Sequence, residues 1–315
     1  MTVIDRATTP TRRTTRPETG PGSRADGWSR RIPLLPALVF TFIITQLPFI
    51  VTIYYSLQSW NLVRPGSRHF IGLGNYAKVF TDSQFRQVTL NTVVLTVGSV
   101  LIAVALGLLL ALMLNRAFPG RGVVRTLLIT PFLITPVAAA LLWKTTLLDP
   151  TYGLVNFVLG PFGAGKTDWI STFPLLAVMM AIVWQWTPFM MLLILAGLQS
   201  QPADVLEAAA VDGASSLGIF REITIPHLRR FIELGIVLGT IYLINVFDQI
   251  YMMTQGGPGI ASSNLPFYIY QRAFLGFDVG QSAAMGVVVA ILTTIVATFA
   301  LRLIFRTFSG NEAAA

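Results

Sequence analysis

QPADVLEAAAVDGASSLGIFREITIP, residues 201–226, sits between two long apolar runs and is rich in charged and small side chains. Pro202 at a first helical position and Asp204 in the first turn favour helix initiation, and Gly213 can take the left-handed conformation that ends a helix. Ser215 or Ser216 then caps a second short helix running to about Ile223, and Pro226 stops it. The pattern predicts two short helices at an angle. Glu207 places a charged acceptor beside the small side chains of Ala208, Ala209 and Ala210, a surface that a groove of another protein can approach closely.

The flanking sequence decides where this element is held. Of the 315 residues, 54% are hydrophobic and only 11% charged, about half the charged fraction of an ordinary soluble domain. Runs at about 34–57, 88–114, 123–147, 174–198, 231–253 and 281–305 are each long enough to cross a bilayer as helix. The expected fold class is therefore an all-α polytopic membrane protein with six transmembrane helices. Residues 1–31 carry Thr, Pro, Gly and Arg with few large apolar side chains and read as a disordered tail. The run at 34–57 is too long for the core of an export signal and reads as an uncleaved anchor. The expected organisation is a tail over 1–31, a membrane domain over 32–308 containing the loop 200–228, and a second tail over 309–315.

Arginine placement orients the chain. With the N-terminus inside, Arg6, Arg12, Arg13, Arg16, Arg24, Arg30, Arg31, Arg116, Arg121, Arg125, Arg221, Arg229, Arg230, Arg302 and Arg306 fall on the cytoplasmic side. Arg64, Arg68, Lys78, Arg86, Lys144, Lys166 and Arg272 fall outside. The bias puts both termini and the loop 200–228 on the cytoplasmic side of the membrane. The net charge of +8 is explained by membrane topology, since the basic residues flank apolar runs and form no stripe suited to nucleic acid.

The loop resembles the Glu-Ala-Ala loop of permease subunits in bacterial binding-protein-dependent ABC importers. Glu207-Ala208-Ala209, Asp212-Gly213-Ala214 and Ile223-Thr224-Ile225-Pro226 match the family pattern, with Ile225 where Leu is usual. The resemblance implies the type I importer permease fold and a loop that docks into a cytoplasmic ATPase dimer. It implies Glu207, Ala208, Ala209, Asp212, Gly213 and Pro226 as coupling residues. The partners it implies are that ATPase dimer, a second homologous permease and an extracytoplasmic sugar-binding protein, with lipid around the helices. ATP and Mg belong to the partner ATPase, so this chain is expected to be no enzyme and to hold no cofactor. Three further stretches, FIGLGNY at 70–76, FDQIYMMTQGGPG at 247–259 and YIYQRAF at 268–274, are similar to the carbohydrate branch, and LPFY at 265–268 with FDVG at 277–280 to its polyol and disaccharide members. A sugar or sugar alcohol is the expected cargo. A non-carbohydrate solute, or an ion-driven secondary transporter, is the alternative.

GPFGAGKT at 160–167 satisfies the phosphate-loop pattern. Such a loop joins a strand to a helix inside an α/β domain; this one falls in a connection between two apolar runs, on the expected outer face, and reads as a Gly-rich turn. With no cysteine and only His69 and His227, no metal centre is expected, and no acid/base pair or triad is visible. Polar groups inside membrane runs are costly and mark a transport path. Asn245, Asp248 and Gln249 share one face at helical spacing, and Trp184 and Trp186 add aromatic surface that can stack on a sugar ring.

Overall fold

The computed structural model describes residues 32–163 and 166–312. The chain divides into two compact units, Met1–Val51 and Thr52–Ala315. The tail expected over 1–31 lies outside the described residues. The helices are α1 (Leu35–Ser56), α2 (Gly74–Thr81), α3 (Ser83–Asn115), α4 (Arg121–Leu133), α5 (Pro136–Leu142), α6 (Leu154–Leu159), α7 (Trp169–Thr172), α8 (Pro174–Gln199), α9 (Ala203–Val211), α10 (Ser216–Gly218), α11 (Ile225–Leu243), α12 (Asp248–Met253), α13 (Leu265–Tyr270) and α14 (Val279–Glu312). β1 (Gln58–Ser59) and β2 (His69–Phe70) form a small antiparallel pair with Gln58 opposite Phe70.

Four helices among the described residues are long and apolar enough to cross a membrane: α1, α3, α8 and the Val279–Thr298 part of α14. A fifth span forms if α4 and α5, with the π-helical turn that follows to Leu147, are taken together across a bend of 102°. The expected run at 231–253 is not one helix. It divides into α11, which starts earlier and ends at Leu243, and the short α12, with a break over residues 244–247. At the far end α14 continues to Glu312, beyond the boundary expected at 308.

The centre of the larger unit is the α3–α8 pair. Leu95, Ala177, Val178, Ala181 and Ile182 are buried in one cluster, and Ala111, Leu114, Met191, Ile194 and Leu195 in another farther along the same two helices. Glycine permits the approach: a Cβ on Gly107 would stand 2.7 Å from Met190 Cβ and 2.8 Å from the Met191 backbone nitrogen. Gly239 brings α11 against the same methionine, where a Cβ would meet Met190 Cε at 2.6 Å. In a bilayer, where lipid is as apolar as leucine, such close packing of small residues is a main source of helix association.

The FIGLGNY stretch folds back on the end of α1. Asn75, only 3% exposed, donates to Ser56 O at 2.9 Å and to Gln58 O at 2.8 Å, while the Tyr76 and Ser56 hydroxyls lie 2.6 Å apart. The Gly-rich loop after α12 is clamped in a similar way. Asn91 of α3 donates to the carbonyls of Ile260, Ala261 and Ser263, and Thr92 Oγ1 accepts from Leu265 N at 2.9 Å. Gly256, at φ +79°, belongs there because a Cβ would strike Ser263 Oγ and the Phe267 ring.

Gly107→Ala forces α3 and α8 apart and is expected to destabilise the protein by about 1–3 kcal/mol. Gly122→Ala, where a Cβ meets nothing within 4 Å, is expected to be neutral or slightly stabilising. Thermal unfolding of the two variants in detergent checks the contrast.

Candidate coupling loop and translocation path

Between α8 and α11 the backbone turns twice. Pro202 is the residue preceding α9, one position earlier than the sequence pattern suggests, and Asp204 lies in the first turn of α9. Gly213 takes φ +82°, and Ala214 N bonds back to Ala209 O, so the chain reverses directly after α9. Ser215 caps the next turn by accepting from Gly218 N at 3.2 Å. From Ser216 onward the helical path is continuous through Leu243, opened to π turns over Ile219–Thr224. Pro226 therefore does not stop a helix, as the sequence reading expects; it is the second residue of α11. The wider turn just before it relieves the clash between the proline ring and the carbonyl four residues earlier, where the missing N–H leaves no bond to close.

The tip of this element is exposed and partly apolar. Val205 is 45%, Val211 88% and Leu217 73% accessible, and Glu207, Ala208, Asp212 and Gly213 are exposed with them, while Ala209 is half-buried. Its base is anchored: Leu228 is fully buried against α8, and the His227 ring lies 3.1 Å from Gly197 O and from Ser200 Oγ. Glu233 pairs with Arg229 at 2.7 Å on the same helix.

The five path candidates separate. The break over residues 244–247 removes the single face expected for Asn245, Asp248 and Gln249. Asn245 is exposed within the break, its amide donating to Ile241 O at 2.9 Å, and Asp248 is half-buried at the start of α12. Gln249 turns inward, 3% exposed, and donates to Gln185 Oε1 at 2.9 Å. Trp186 joins an aromatic group that the sequence reading missed: its ring lies 5.4 Å from Tyr242, 5.7 Å from Phe132 and 5.7 Å from Phe189. Tyr242, 60% exposed, carries this group to the surface one turn before Asn245. Spacing held the signal, since Tyr242 precedes Asn245 by three residues. Trp184 points elsewhere, edge-on to Trp143 at 6.1 Å, and with it lines an apolar groove of about 510 Å³ between α3, α4 and α8. That groove, walled by Ile102, Leu106, Leu128 and Met179, offers almost no hydrogen-bonding surface for a sugar.

Farther along, Phe247, Tyr251 and Tyr270 pack with centroids 5.3–5.7 Å apart, beside Asp248. The start of α3 is tied to α13 by charge. Asp82 caps α3 through Gln84 N at 2.9 Å and accepts from Tyr268 Oη at 2.9 Å and Arg272 at 3.3 Å. Burial, more than any other influence, raises the Tyr268 phenol above its ordinary range.

The phosphate-loop lookalike has neither of the elements such a loop joins. Gly160–Phe162 is a single 3-10 turn, and the element that leads into it is the six-residue helix α6, not a strand. The four-residue α7 follows, capped by Asp168, whose carboxyl is held below its usual value chiefly by the Ser171 hydroxyl. Lys166 is exposed, and Ala164 and Gly165 lie outside the described residues. No group of three or more His, Asp or Glu side chains among the described residues is placed to hold a metal.

These features define a polytopic helical membrane component with a protruding two-helix loop. The chain belongs to the family of binding-protein-dependent transport system inner membrane components, whose model matches residues 103–309 and so takes in both the loop and the broken spans. It is 38% identical over 278 residues to a probable ABC transporter permease, y4oQ of Sinorhizobium fredii, covering 88% of this chain and 89% of that one. It is 36% identical over 262 residues to the trehalose/maltose transport system permease protein MalF of Thermococcus litoralis, covering 82% and 88%. The sulfoquinovosyl glycerol transport system permease protein SmoG of Agrobacterium fabrum is 36% identical over 273 residues, covering 86% and 88%. The fold matches a chain of a bacterial ABC transporter involved in the import of the acidic polysaccharide alginate, with a TM-score of 0.75 at 24% identity over 90% of this chain and 96% of that one. The chain is thus a permease of the type I ABC importer fold, a transport component without an ATPase site of its own.

Lys166→Ala is expected to leave ATP-driven uptake by the assembled transporter unchanged; uptake of labelled substrate into proteoliposomes measures it.

Proposed function

We propose that the chain forms one half of the translocation pore of an importer for a sugar or sugar alcohol and couples to a separate cytoplasmic ATPase through the loop 200–228. The observation that carries this reading is the exposed knob formed by α9, the left-handed Gly213 and the turn capped by Ser215, rooted on α8 and α11. Glu207, Ala208, Asp212 and Gly213 present its exposed surface, Ala209 backs it, and Pro226 stands where the knob becomes α11. An ATPase cleft that closes on such a knob moves α8 and α11 together, because Leu228 and His227 fasten both to the loop. A second, homologous permease supplies the other half of the pore, an extracytoplasmic binding protein delivers the cargo, and both termini of this chain face the cytoplasm.

The names of the relatives support a carbohydrate cargo, since two of them are permeases for trehalose/maltose and for sulfoquinovosyl glycerol. So does the chemistry of the broken fifth run. Tyr242 and Trp186 provide aromatic faces on which a sugar ring stacks, and Asn245 and Asp248 provide groups that bond hydroxyls. A carboxylate at membrane depth is tolerated only toward protein or water, which keeps half-buried Asp248 off the lipid and makes it available to the path. Gln249 and Trp184 have no part in that face. Gln249 is committed to a buried bond and Trp184 to an apolar groove.

The test is co-expression with the ATPase, the second permease and the binding protein. Glu207→Ala and Gly213→Pro are expected to lower binding-protein-stimulated ATP hydrolysis by about tenfold or more, the second because proline cannot adopt φ +82°. Retained stimulation in both variants refutes the coupling role. Tyr242→Ala and Asn245→Ala are expected to lower sugar uptake about three- to tenfold with the complex intact. Uptake that is unchanged in both removes this face from the path.

A further inference from the structure

Two of the membrane runs are broken, and one side chain is bonded to both. Where α4 gives way to α5, Ile134 and Thr135 are extended, and the Ile134 carbonyl has no place in the ladder of either helix. Gln185 of α8 donates to that carbonyl at 2.8 Å. The Gln185 Oε1 in turn accepts from Gln249 Nε2, two residues past the second break. Both amides are nearly fully buried, at 4% and 3% exposed. The two segments also meet directly: Lys144, just beyond α5, donates to Met252 O at the end of α12 at 3.1 Å.

A buried amide chain of this kind is costly to leave half-made, because each freed group loses a partner where water is scarce. Gln185 also lies on the helix that runs directly into the coupling loop, 14 residues before its end at Gln199, about 21 Å along the axis. A displacement of α8 therefore reaches α5 and α12 through the same amide. We propose that Gln185 is a positioning residue for transport: it makes α5 and α12 move as one body with α8 and so converts movement of the loop into opening of the path. The proposal rests on the importer reading above and adds the residue through which the two broken runs are joined.

The chain contains no cysteine, so spin labels can be introduced in pairs without first removing native thiols. Labels at Leu141 and Tyr251, both exposed, report the distance between the α5 and α12 segments; labels at Leu141 and Ile291 report movement against α14. In the complete transporter, double electron–electron resonance with and without ATP is expected to hold the first distance to within about 2 Å while the second changes by about 5 Å or more. Gln185→Met, similar in volume but without the amide, is expected to broaden the first distance and to raise the ATP hydrolysed per sugar imported about tenfold, with complex assembly retained. Gln185→Met/Gln249→Met is expected to match Gln185→Met alone, since the second change removes a bond already lost. ATP-driven uptake by the wild type together with a Leu141–Tyr251 distance that changes by more than about 5 Å overturns this proposal alone, as does an unchanged ATP-to-sugar ratio in an assembled Gln185→Met transporter. A wild-type complex without ATP-driven uptake overturns the importer reading and this proposal together. The distance measurement on wild type keeps the idea open to refutation even where Gln185→Met fails to assemble.

Discussion

A helix that breaks inside a membrane must find partners for the carbonyls and amides it frees, because the surrounding hydrocarbon supplies none. Much of the architecture follows from meeting that demand. At the bend of 102° between α4 and α5, the Ile134 carbonyl is bonded by Gln185. At the break after α11, the Val246 carbonyl accepts from Asn264, whose own Oδ1 caps α13 through Phe267 N at 3.1 Å. The loop between α12 and α13 in turn hangs on Asn91 of α3. Each of these amides comes from a neighbouring element, so each break is also a tie between elements.

The ties leave α3 and α8 as a closely packed pair and the broken runs as short segments bonded to it. α3 and α8 are long and pack through Gly98 and Gly107 closely enough that a Cβ at either glycine would clash with the facing helix. Interfaces this dense shift as rigid bodies and do not deform gradually. α5 and α12 are only seven and six residues long and are flanked by a π turn, a sharp bend or an irregular link. Such joints absorb backbone rotation at modest cost, and proline and π turns are the usual places for it.

What the sequence discloses follows the same division. Long apolar runs need nothing but length and composition, so α1, α3, α8 and most of α14 are legible within a few residues. The turn at Gly213 and the cap at Ser215 are legible because each rests on a local backbone requirement. Pro226 was misleading because proline is ambiguous: it ends a helix when it stands in regular α geometry and begins one when the turn before it is wide. The division of residues 231–253 was hidden for a different reason. Its break over 244–247 is held by Asn264, 18 residues away in sequence, and no local pattern encodes that support.

The same reasoning decides between the residues that resemble one another chemically. Asn245, Gln249 and Gln185 are all amides within apolar runs, and spacing assigns Asn245 and Gln249 equally to a path. Burial separates them. Gln185, 4% exposed and bonded on both sides, has no capacity left for a passing hydroxyl, and Gln249, 3% exposed, commits its amide nitrogen to Gln185, so both hold the helices in place. Asn245 is exposed beside Tyr242, and its side chain donates to Ile241 O, which leaves its carbonyl oxygen to accept. A transport path needs both kinds: exposed groups that bind weakly and let go, and buried groups whose bonds are kept while the path opens. In this protein one of each kind, exposed Asn245 in the break and buried Gln249 in α12, lie four residues apart along one broken run.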